Sequence, residues 1–484
     1  MGLEYKQYTV GELVERGFIE KPLDGNHGEI HPKGSDFVES GIPFIMASDM
    51  MNGRINTTNC KFINYKQAIQ LRKGISLKGD VLLSHKATIG RTAIVEELAS
   101  DFIVLTPQIT YYRIKDDRHL NNQYLKYYFD SIEFQNLFKQ WAGGGSTRAY
   151  LGISAQLKLP IKVFPIEVQK AIAHILSTFD DKIKLNRQMN STLESMAQAM
   201  FKSWFVDFDP VIDNALTAGN PIPEPLKARS EARQALGDKR KPLPQEIQEL
   251  FPDRFVFSEE LGWIPEGWEV LSIDTLIEIT GGGTPKTSIE EYWGGTIPWF
   301  SVVDAPNQSD VFVLNTEKYI TQQGLNNSST QLLPEGTTII SARGTVGKCA
   351  LVAQSTAMNQ SCYGIRGKDN VSDYFVYYTI LLRVADLQQR GHGSVFNTIT
   401  RDTFKTIKIP FFNADLTSQY DKYVSSLFSK ILENCRQSES LSQLRDTLLP
   451  KLISGQLRLP DSLIDKFAEQ ADSHDAEQSI SEAI

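Results

Sequence analysis

The sequence lacks the features that mark exported, membrane-spanning or disulfide-stabilised proteins. Its 484 residues include four cysteines, and no two of them form a Cys-x-x-Cys pair. No apolar run approaches the roughly 18 residues that a membrane-spanning helix needs. The first residues lack the basic and then apolar segments that direct export. We therefore expect reduced thiols, no membrane partner and a cytoplasmic location.

Motifs for catalysis and for binding metals or nucleotides are also missing. The segment 280–288 (TGGGTPKTS) looks like a phosphate loop, but Pro285 stands where Walker A requires glycine and removes a backbone N–H donor. His27 and His31 flank Gly-Glu-Ile, which is the wrong order for a zinc-binding His-Glu-x-x-His. No nucleophile elbow, helicase set or nuclease set is present. We predict a protein that recognises a partner, with no catalytic residue and no metal site.

An internal repeat is the strongest positive signal. The segment 76–90 (SLKGDVLLSHKATIG) matches 333–347 (LPEGTTIISARGTVG) at a constant offset of 257 residues. The matching residues are Gly79, Ser84, Thr88 and Gly90 in the first copy and Gly336, Ser341, Thr345 and Gly347 in the second. A duplication of this size predicts two similar sites on one molecule, which suits a partner that itself has two parts.

Each half has the same order of parts. Short runs rich in Gly, Thr, Val and Ile predict strands, including 108–113 and 405–410, and helical patches at 122–138 and 373–389 interrupt them. A long helix follows in each half. The predicted divisions are a domain at 1–165, a helix at 166–206, a Pro-containing linker at 207–267, a second domain at 268–412, a helix at 413–455 and an acidic, partly disordered tail at 456–484.

The two long helices carry apolar residues at alternating spacings of three and four, which is the pattern of a coiled-coil seam. Asn186 and Asn434 occupy matching positions, and a buried Asn pair fixes register at some cost in stability. The predicted interface comprises Leu176, Phe179, Ile183, Asn186, Leu193, Met200, Leu427, Ile431, Asn434, Leu441 and Leu448. Packing of each helix on its own domain alone is the alternative. The predicted fold is therefore α+β, with two globular α/β domains (a twisted sheet or barrel-like) and two long helices paired as an antiparallel coiled coil with a pseudo-two-fold axis.

The repeated glycine segments are the best candidates for binding DNA. Each leaves a strand, turns at glycine and presents two cations around a threonine. Arginine can contact guanine, lysine can contact guanine or phosphate, and threonine can contact base edges. The candidate residues are Lys86, Thr88, Arg91, Ser146, Arg148, Thr284, Lys286, Arg343, Thr345 and Lys348. Structural hairpins with solvated charges, and a plain surface turn at 280–288, are the alternatives.

Charge is distributed unevenly along the chain. The net charge is −8 overall, but residues 1–165 carry 20 basic and 17 acidic side chains, and residues 268–412 carry 11 and 13. Because neutralisation of phosphates dominates affinity for DNA, binding needs local basic patches or help from a partner.

Together these features resemble the specificity subunit of type I restriction–modification systems. The resemblance covers almost the whole chain. It rests on the tandem repeat, 282–285 (GGTP), 161–170 (IKVFPIEVQK), 203–210 (SWFVDFDP), 261–268 (LGWIPEGW) and 448–455 (LLPKLISG). One departure is that the first half has 27–33 where the second half has the GGTP turn.

The resemblance implies two target-recognition domains that each read one half of a bipartite sequence in double-stranded DNA. It implies that the helices set the spacer and dock two methylation subunits, and that motor–nuclease subunits complete the complex. It further implies that this chain is no enzyme and has no cofactor, while S-adenosylmethionine, ATP and Mg²⁺ belong to the partner subunits. A duplicated protein–protein scaffold without DNA specificity is the alternative from another class, and a fragment of a methyltransferase is a third.

Overall fold

A computed structural model describes residues 4–26, 30–71, 73–143, 149–237, 243–306, 310–390 and 398–469. The chain forms two compact units, one of Met1–Lys182 with Ser440–Ile484 and one of Ile183–Glu439. Two helices of 40 residues each, α6 (Ile166–Phe205) and α15 (Ala414–Ile453), contribute to both units. None of the described helices is both long and apolar enough to cross a membrane.

In the described residues that precede α6, the first unit contains thirteen strands and five shorter helices. In chain order they are β1 (Lys6–Thr9), α1 (Val10–Glu15), β2 (Leu23–Asp24), β3 (Phe37–Val38), β4 (Ile42–Ile45), β5 (Met50–Met51), β6 (Arg54–Ile55), β7 (Lys61–Ile63), α2 (Tyr65–Ala68), β8 (Ile75–Ser76), β9 (Val81–Ser84), β10 (Thr92–Ile94), β11 (Ile103–Leu105), β12 (Ile109–Tyr112), α3 (Asn122–Asp130), α4 (Ile132–Trp141), α5 (Ile153–Gln156) and β13 (Pro160–Val163).

Between α6 and α15, the part of the second unit that the structure describes contains twelve strands and eight shorter helices. In chain order they are α7 (Asp209–Ala218), α8 (Lys227–Ala235), α9 (Gln245–Gln248), β14 (Phe255–Ser258), β15 (Gly262–Pro265), β16 (Glu269–Ser272), α10 (Ile273–Leu276), β17 (Ile277–Gly281), β18 (Trp293–Phe300), β19 (Phe312–Val313), β20 (Lys318–Ile320), α11 (Gln322–Asn326), β21 (Thr338–Ser341), β22 (Cys349–Val352), β23 (Ala357–Met358), β24 (Cys362–Gly367), α12 (Asp373–Leu382), α13 (Val384–Arg390), α14 (Arg401–Lys405) and β25 (Lys408–Phe411).

The sheets of the two units share one plan. In the first unit the antiparallel order is β10-β9-β12-β2, and in the second it is β22-β21-β24-β17 with β19 added beside β22. Each unit also has a mixed sheet with one parallel pair, β4 with β11 in the first and β18 with β23 in the second. In the described residues these sheets are open, so the twisted-sheet form of the prediction holds and no closed barrel is present.

The strand that precedes each long helix corrects one detail of the repeat. In the sequence Pro160 and Pro410 look equivalent, because each ends a Lys-x-Pro run, at 158–160 and 408–410. In the structure Pro160 pairs with Thr9, the N-cap of α1, whereas Lys408 pairs with Ser272, the N-cap of α10. Pro160 therefore corresponds to Lys408. The offset is 248 residues, the same as between the starts of α6 and α15. Sequence comparison misaligned these strands because a shift of two residues keeps the same face of a strand.

The two long helices run antiparallel, as predicted. Within the second unit, Asn186 on α6 contacts residues 434–438 of α15, whereas the carbonyl of Ala197 accepts a hydrogen bond of 3.0 Å from Tyr420 Oη. Within the first unit, Asp180 on α6 contacts Arg445 on α15. Residue numbers at these contacts rise along α6 and fall along α15, so the two helices are antiparallel.

The asparagines in the seam form a chain of polar contacts. Asn434 Nδ2 donates to Asn190 Oδ1 at 2.9 Å, and Asn186 Nδ2 donates to Gln437 Oε1 at 2.9 Å and to the carbonyl of Asn434 at 3.3 Å. Asn190 is therefore the side-chain partner of Asn434. Asn186, one turn earlier on α6, bonds to the carbonyl of Asn434 and to the side chain of Gln437. Because each shift of register would leave these buried amides without partners, they fix the alignment of the helices.

The other predicted interface residues differ in burial. Leu176 lies in the core of the first unit, and Leu448 packs on that core. Ile431 lies in the core of the second unit, where Leu193, Met200 and Leu427 pack against it. Ile183 is buried, while Phe179 and Leu441 are half-buried.

The segment predicted as a linker is folded over most of its length. Arg229 forms two hydrogen bonds with Asp209, at 2.8 and 2.9 Å, and Arg233 contacts both Asp209 and Asp213. These ion pairs join α8 to α7, whose apolar face belongs to the core of the second unit through Val211. The paired residues lie 20 or 24 positions apart along the chain, so no helical spacing in the sequence reveals them.

Candidate nucleic-acid interface

The repeated glycine turn has the same hydrogen bonds at its two ends in both units. Ser84 N donates to the carbonyl of Arg91 at 2.8 Å, and Ser341 N donates to the carbonyl of Lys348 at 2.9 Å. The serine hydroxyl oxygens accept in return, from Arg91 N and Lys348 N, at 2.8 Å in each case. Each turn therefore starts at a buried serine that locks both of its ends to the sheet.

The tips of the two turns carry the predicted cations. Lys86, Thr88 and Arg91 are exposed in the first turn, and Arg343, Thr345 and Lys348 are exposed in the second. Lys86 Nζ lies 6.0 Å from the ring centroid of Tyr150, and Arg91 Nη1 donates to the carbonyl of Ala47 at 2.8 Å. In the first turn a backbone carbonyl thus holds Arg91, whereas Lys86 is exposed.

One residue at the tip of each turn adopts a left-handed conformation. Ala87 has φ +63° in the first turn, and the corresponding Gly344 has φ +74° in the second. A non-glycine residue pays a steric penalty in this region.

Exchange of the two residue types should therefore shift stability in opposite directions. We expect Ala87→Gly to raise the free energy of unfolding of the first unit, and Gly344→Ala to lower that of the second, each by about 1 kcal/mol. A Cβ on Gly344 meets no atom within 4 Å, so conformation alone causes the loss. Urea denaturation followed by hydrogen exchange of each unit measures both effects; a loss in both variants would contradict this account.

Two tryptophans fix the Gly-Gly-Thr-Pro loop of the second unit. Trp299 Nε1 donates to the carbonyl of Gly283 at 3.0 Å, and Trp293 Nε1 donates to the carbonyl of Lys286 at 3.3 Å. A Cβ on Gly282 would lie 1.9 Å from the carbonyl oxygen of Asn359, so only glycine fits there. The result is a preorganised loop in which Thr284 and Lys286 are exposed.

This loop lies beside the glycine turn of its unit. The Thr284 hydroxyl donates to the side chain of Gln360, and the next residue, Ser361, accepts a hydrogen bond of 2.7 Å from Ala342 N. Ala342 directly precedes Arg343. The structure thus brings Thr284 and Arg343 to one edge of the sheet.

Some predicted positions lie outside the described residues, namely Ser146, Arg148 and His27. Next to the first two, Ala149 accepts a hydrogen bond of 3.1 Å from Ala87 N, at the tip of the first turn. His31 Nδ1 lies 3.1 Å from the carbonyl oxygen of Asn26.

A hairpin that the sequence analysis missed borders the first turn. Strands β5 and β6 are joined through Asn52 and Gly53, and this hairpin lines one open hollow together with Gly90 and Arg91. Met51 on the hairpin is 47 % exposed. Asn-Gly between two short apolar runs is a hairpin signal, so the sequence did contain the information.

The thiols of two cysteines in the second unit are shielded from water. Burial raises the pKa of the Cys349 and Cys362 thiols to about 12, so both are protonated at neutral pH. All four cysteines are free thiols, as expected from their spacing.

Comparison with known proteins identifies the family. A family model described as "Type I restriction modification DNA specificity domain" matches residues 4–195 and 265–414. The HindI specificity subunit of Haemophilus influenzae is 27% identical over 94% of this chain and 100% of its own length. The MjaIX specificity subunit of Methanocaldococcus jannaschii is 31% identical over 38% of this chain and 42% of its own length.

A solved structure has the same fold. The S subunit of a type I restriction–modification system from M. genitalium aligns with a TM-score of 0.50 and 14% identity, over 93% of this chain and 96% of the other. The two matched segments coincide with the repeated sheets and glycine turns described above. The chain therefore belongs to the family of type I restriction–modification DNA specificity subunits.

Proposed function

We propose that this chain supplies the target specificity of a type I complex without performing its chemistry. Each repeated domain, 1–165 and 268–412, reads one half of a bipartite site in double-stranded DNA. The observation that carries this proposal is the pair of glycine turns, which share their hydrogen bonds but present different side chains. A common frame with unlike tips suits two half-sites of different sequence.

The antiparallel helices have the properties of a spacer. Forty residues at 1.5 Å each give a rod of roughly 60 Å, longer than the ~34 Å that separates faces of the duplex one turn apart. In this proposal the helices at 166–206 and 413–455 hold the two domains at a fixed distance and dock two methylation subunits. Motor–nuclease subunits join the same complex.

In the same proposal the chemistry belongs to the partners. The methylation subunits bring S-adenosylmethionine, and the motor–nuclease subunits bring ATP and Mg²⁺, while this chain holds no cofactor. The modest charge of the recognition domains supports this division, because partner subunits then contribute much of the contact with phosphates.

Mapping methylated adenines tests the proposal directly. DNA modified by the complex of this chain with its methylation subunits should carry modified adenines at a single sequence with two specific halves and a nonspecific spacer of constant length. Methylation without a shared sequence, or a complex that binds DNA without preference, would overturn it.

Single substitutions at the turns separate the two readers. We expect Lys86→Ala and Arg343→Ala each to weaken DNA binding of the assembled complex by about 1–3 kcal/mol, with relaxed preference in one half-site only. Lys78→Ala is the control in the first domain because Lys78 is exposed but pairs with Glu97. Competition binding against DNA altered in either half measures the effect. Unchanged binding and methylation in both turn variants would show that the turns do not read DNA.

A further inference from the structure

A cavity of about 210 Å³ lies within the second unit between the end of α6, α12 and β25. Phe201, Phe205 and Phe375 form its apolar wall, and the rings of Phe205 and Phe375 meet edge to face at 4.8 Å between centroids. Thr379 also lines the cavity. Its hydroxyl oxygen is buried and has no hydrogen-bond partner among the described residues.

The first unit shows what fills the corresponding space. Helices α3 and α12 have side-chain N-caps at Asn121 and Ser372, so Tyr128 and Thr379 both stand seven residues after the cap. Tyr128 Oη donates to the carbonyl of Pro160 in β13 at 3.1 Å, and the ring is 4 % exposed. In the first unit, therefore, a phenol ring bridges the helix and the strand. In the second unit the equivalent residue is the shorter Thr379, and the space between the helix and the strand is open.

Charge around the cavity restricts the occupant further. Lys202 and Arg383 line it beside the aromatic wall. Arg383 Nη1 donates to Asp386 at 3.3 Å, while among the described residues no carboxylate forms an ion pair with Lys202. An aromatic side chain that enters this cavity would therefore bind more tightly if an acidic residue beside it contacted Lys202.

We infer that the cavity receives a tyrosine side chain, flanked by an acidic residue, from the methylation subunit. This inference rests on the proposed function, since the named partner comes from it. The tyrosine ring would occupy in trans the space that Tyr128 fills in cis. Because Tyr128 fills the equivalent position of the first unit, the two otherwise similar docking faces differ at this point.

The variant Thr379→Tyr tests the inference by filling the cavity as Tyr128 does. We expect it to weaken association with the purified methylation subunit at least tenfold in calorimetry. Lys202→Glu, an exposed substitution that leaves the core intact, should weaken association severalfold. As a small probe, p-cresol should raise the melting temperature of the wild-type chain and not that of Thr379→Tyr. Tyr128→Phe is the control: it removes a hydroxyl at the filled position and should leave association unchanged.

Each contrary result has a defined meaning. If Thr379→Tyr and Lys202→Glu both bind the methylation subunit as tightly as wild type, the inference is overturned, whether or not p-cresol binds. Failure of p-cresol to bind the wild-type chain overturns it as well. A wild-type chain that does not associate with the methylation subunit contradicts the proposed function itself. Normal sequence-specific methylation by the Thr379→Tyr complex contradicts only the docking site.

Discussion

Asp180→Asn should destabilise the first unit by roughly 3 kcal/mol, because Asp180 joins three elements through charged contacts. Tyr127 Oη on α3 donates to Asp180 Oδ2 at 2.6 Å, and Arg445 Nη1 on α15 donates to Asp180 Oδ1 at 2.6 Å. Lys126 Nζ lies 3.4 Å from the same carboxylate. The Asp180 side chain is 13 % exposed and that of Lys126 only 8 %. Loss of the negative charge leaves buried cations poorly compensated, which typically costs about 3–5 kcal/mol; the remaining Lys126–Asp130 pair at 2.9 Å reduces the loss.

The contribution of Asp180 should also depend on pH. Burial alone would raise the pKa of this carboxyl, but Lys126, the Tyr127 hydroxyl and Arg445 outweigh burial and lower the pKa below 3.8. An acid whose pKa is lower in the folded state stabilises that state fully above its unfolded pKa. The stabilisation is lost as pH falls through the folded value. The wild-type protein should therefore lose part of its advantage over Asp180→Asn below about pH 4.

Asp181→Asn is the matched control for this prediction. Asp181 is the next residue on α6, its side chain is 68 % exposed, and it pairs with Arg54 at 2.7 Å. Exposed ion pairs contribute about 0–1 kcal/mol, so this variant should behave nearly as wild type. Hydrogen exchange of peptides from α3 in increasing urea measures the stability of the first unit. Equal losses of stability in the two variants would show that the contacts of Asp180 stabilise the first unit no more than an exposed ion pair does.

The sequence predicted the periodic elements of this fold well. The sequence analysis placed one helix at 166–206, and the structure has it at Ile166–Phe205. By contrast, each predicted helical patch is broken into two helices: 122–138 contains α3 and α4, which meet at Ser131. The side chain of Ser131 caps α4 with a backbone conformation outside the helical region, and a single serine within an apolar pattern gives little warning of such a break.

Contacts between distant residues were beyond sequence reasoning. Asp180 meets Arg445 across 265 residues, and only the antiparallel register of two helices brings them together. At the candidate interface, the sequence marked the glycine turns because they repeat. It did not reveal that Arg91 is held by the carbonyl of Ala47, since that contact involves a backbone atom 44 residues away. Periodicity and repetition are local signals, whereas partner choice depends on the assembled fold.

The junction that corresponds to Asp180 in the second unit has a different chemistry. At the helix offset of 248 residues, Asp180 corresponds to Phe428 and Arg445 corresponds to Ala197. Phe428 is fully buried and stacks on Tyr374 with 4.1 Å between ring centroids. Tyr377 and Tyr378 meet the same ring at 6.1 and 5.9 Å. At this position the first domain meets the helices through charge and hydrogen bonds, and the second through stacked aromatic rings.

Phe428→Ala should therefore destabilise the second unit by about 3–5 kcal/mol, the usual cost of removing a buried phenylalanine and leaving a cavity. Each aromatic pair that it breaks contributes part of this loss. Unlike that of Asp180→Asn, the loss should hardly change between pH 3 and 7, because the Phe428 ring does not titrate.

Five of the six tryptophans lie in the second unit, so tryptophan fluorescence in urea reports on it. Phe257→Ala, at a phenylalanine of the same unit that is 64 % exposed, is the control and should cost less than 1 kcal/mol. A similar loss in both variants, or a loss from Phe428→Ala that vanishes in acid, would contradict an aromatic junction. The expected contrast would mean that acid weakens the junction at Asp180 and spares the junction at Phe428, which follows from unlike side chains at equivalent positions of a single repeated frame.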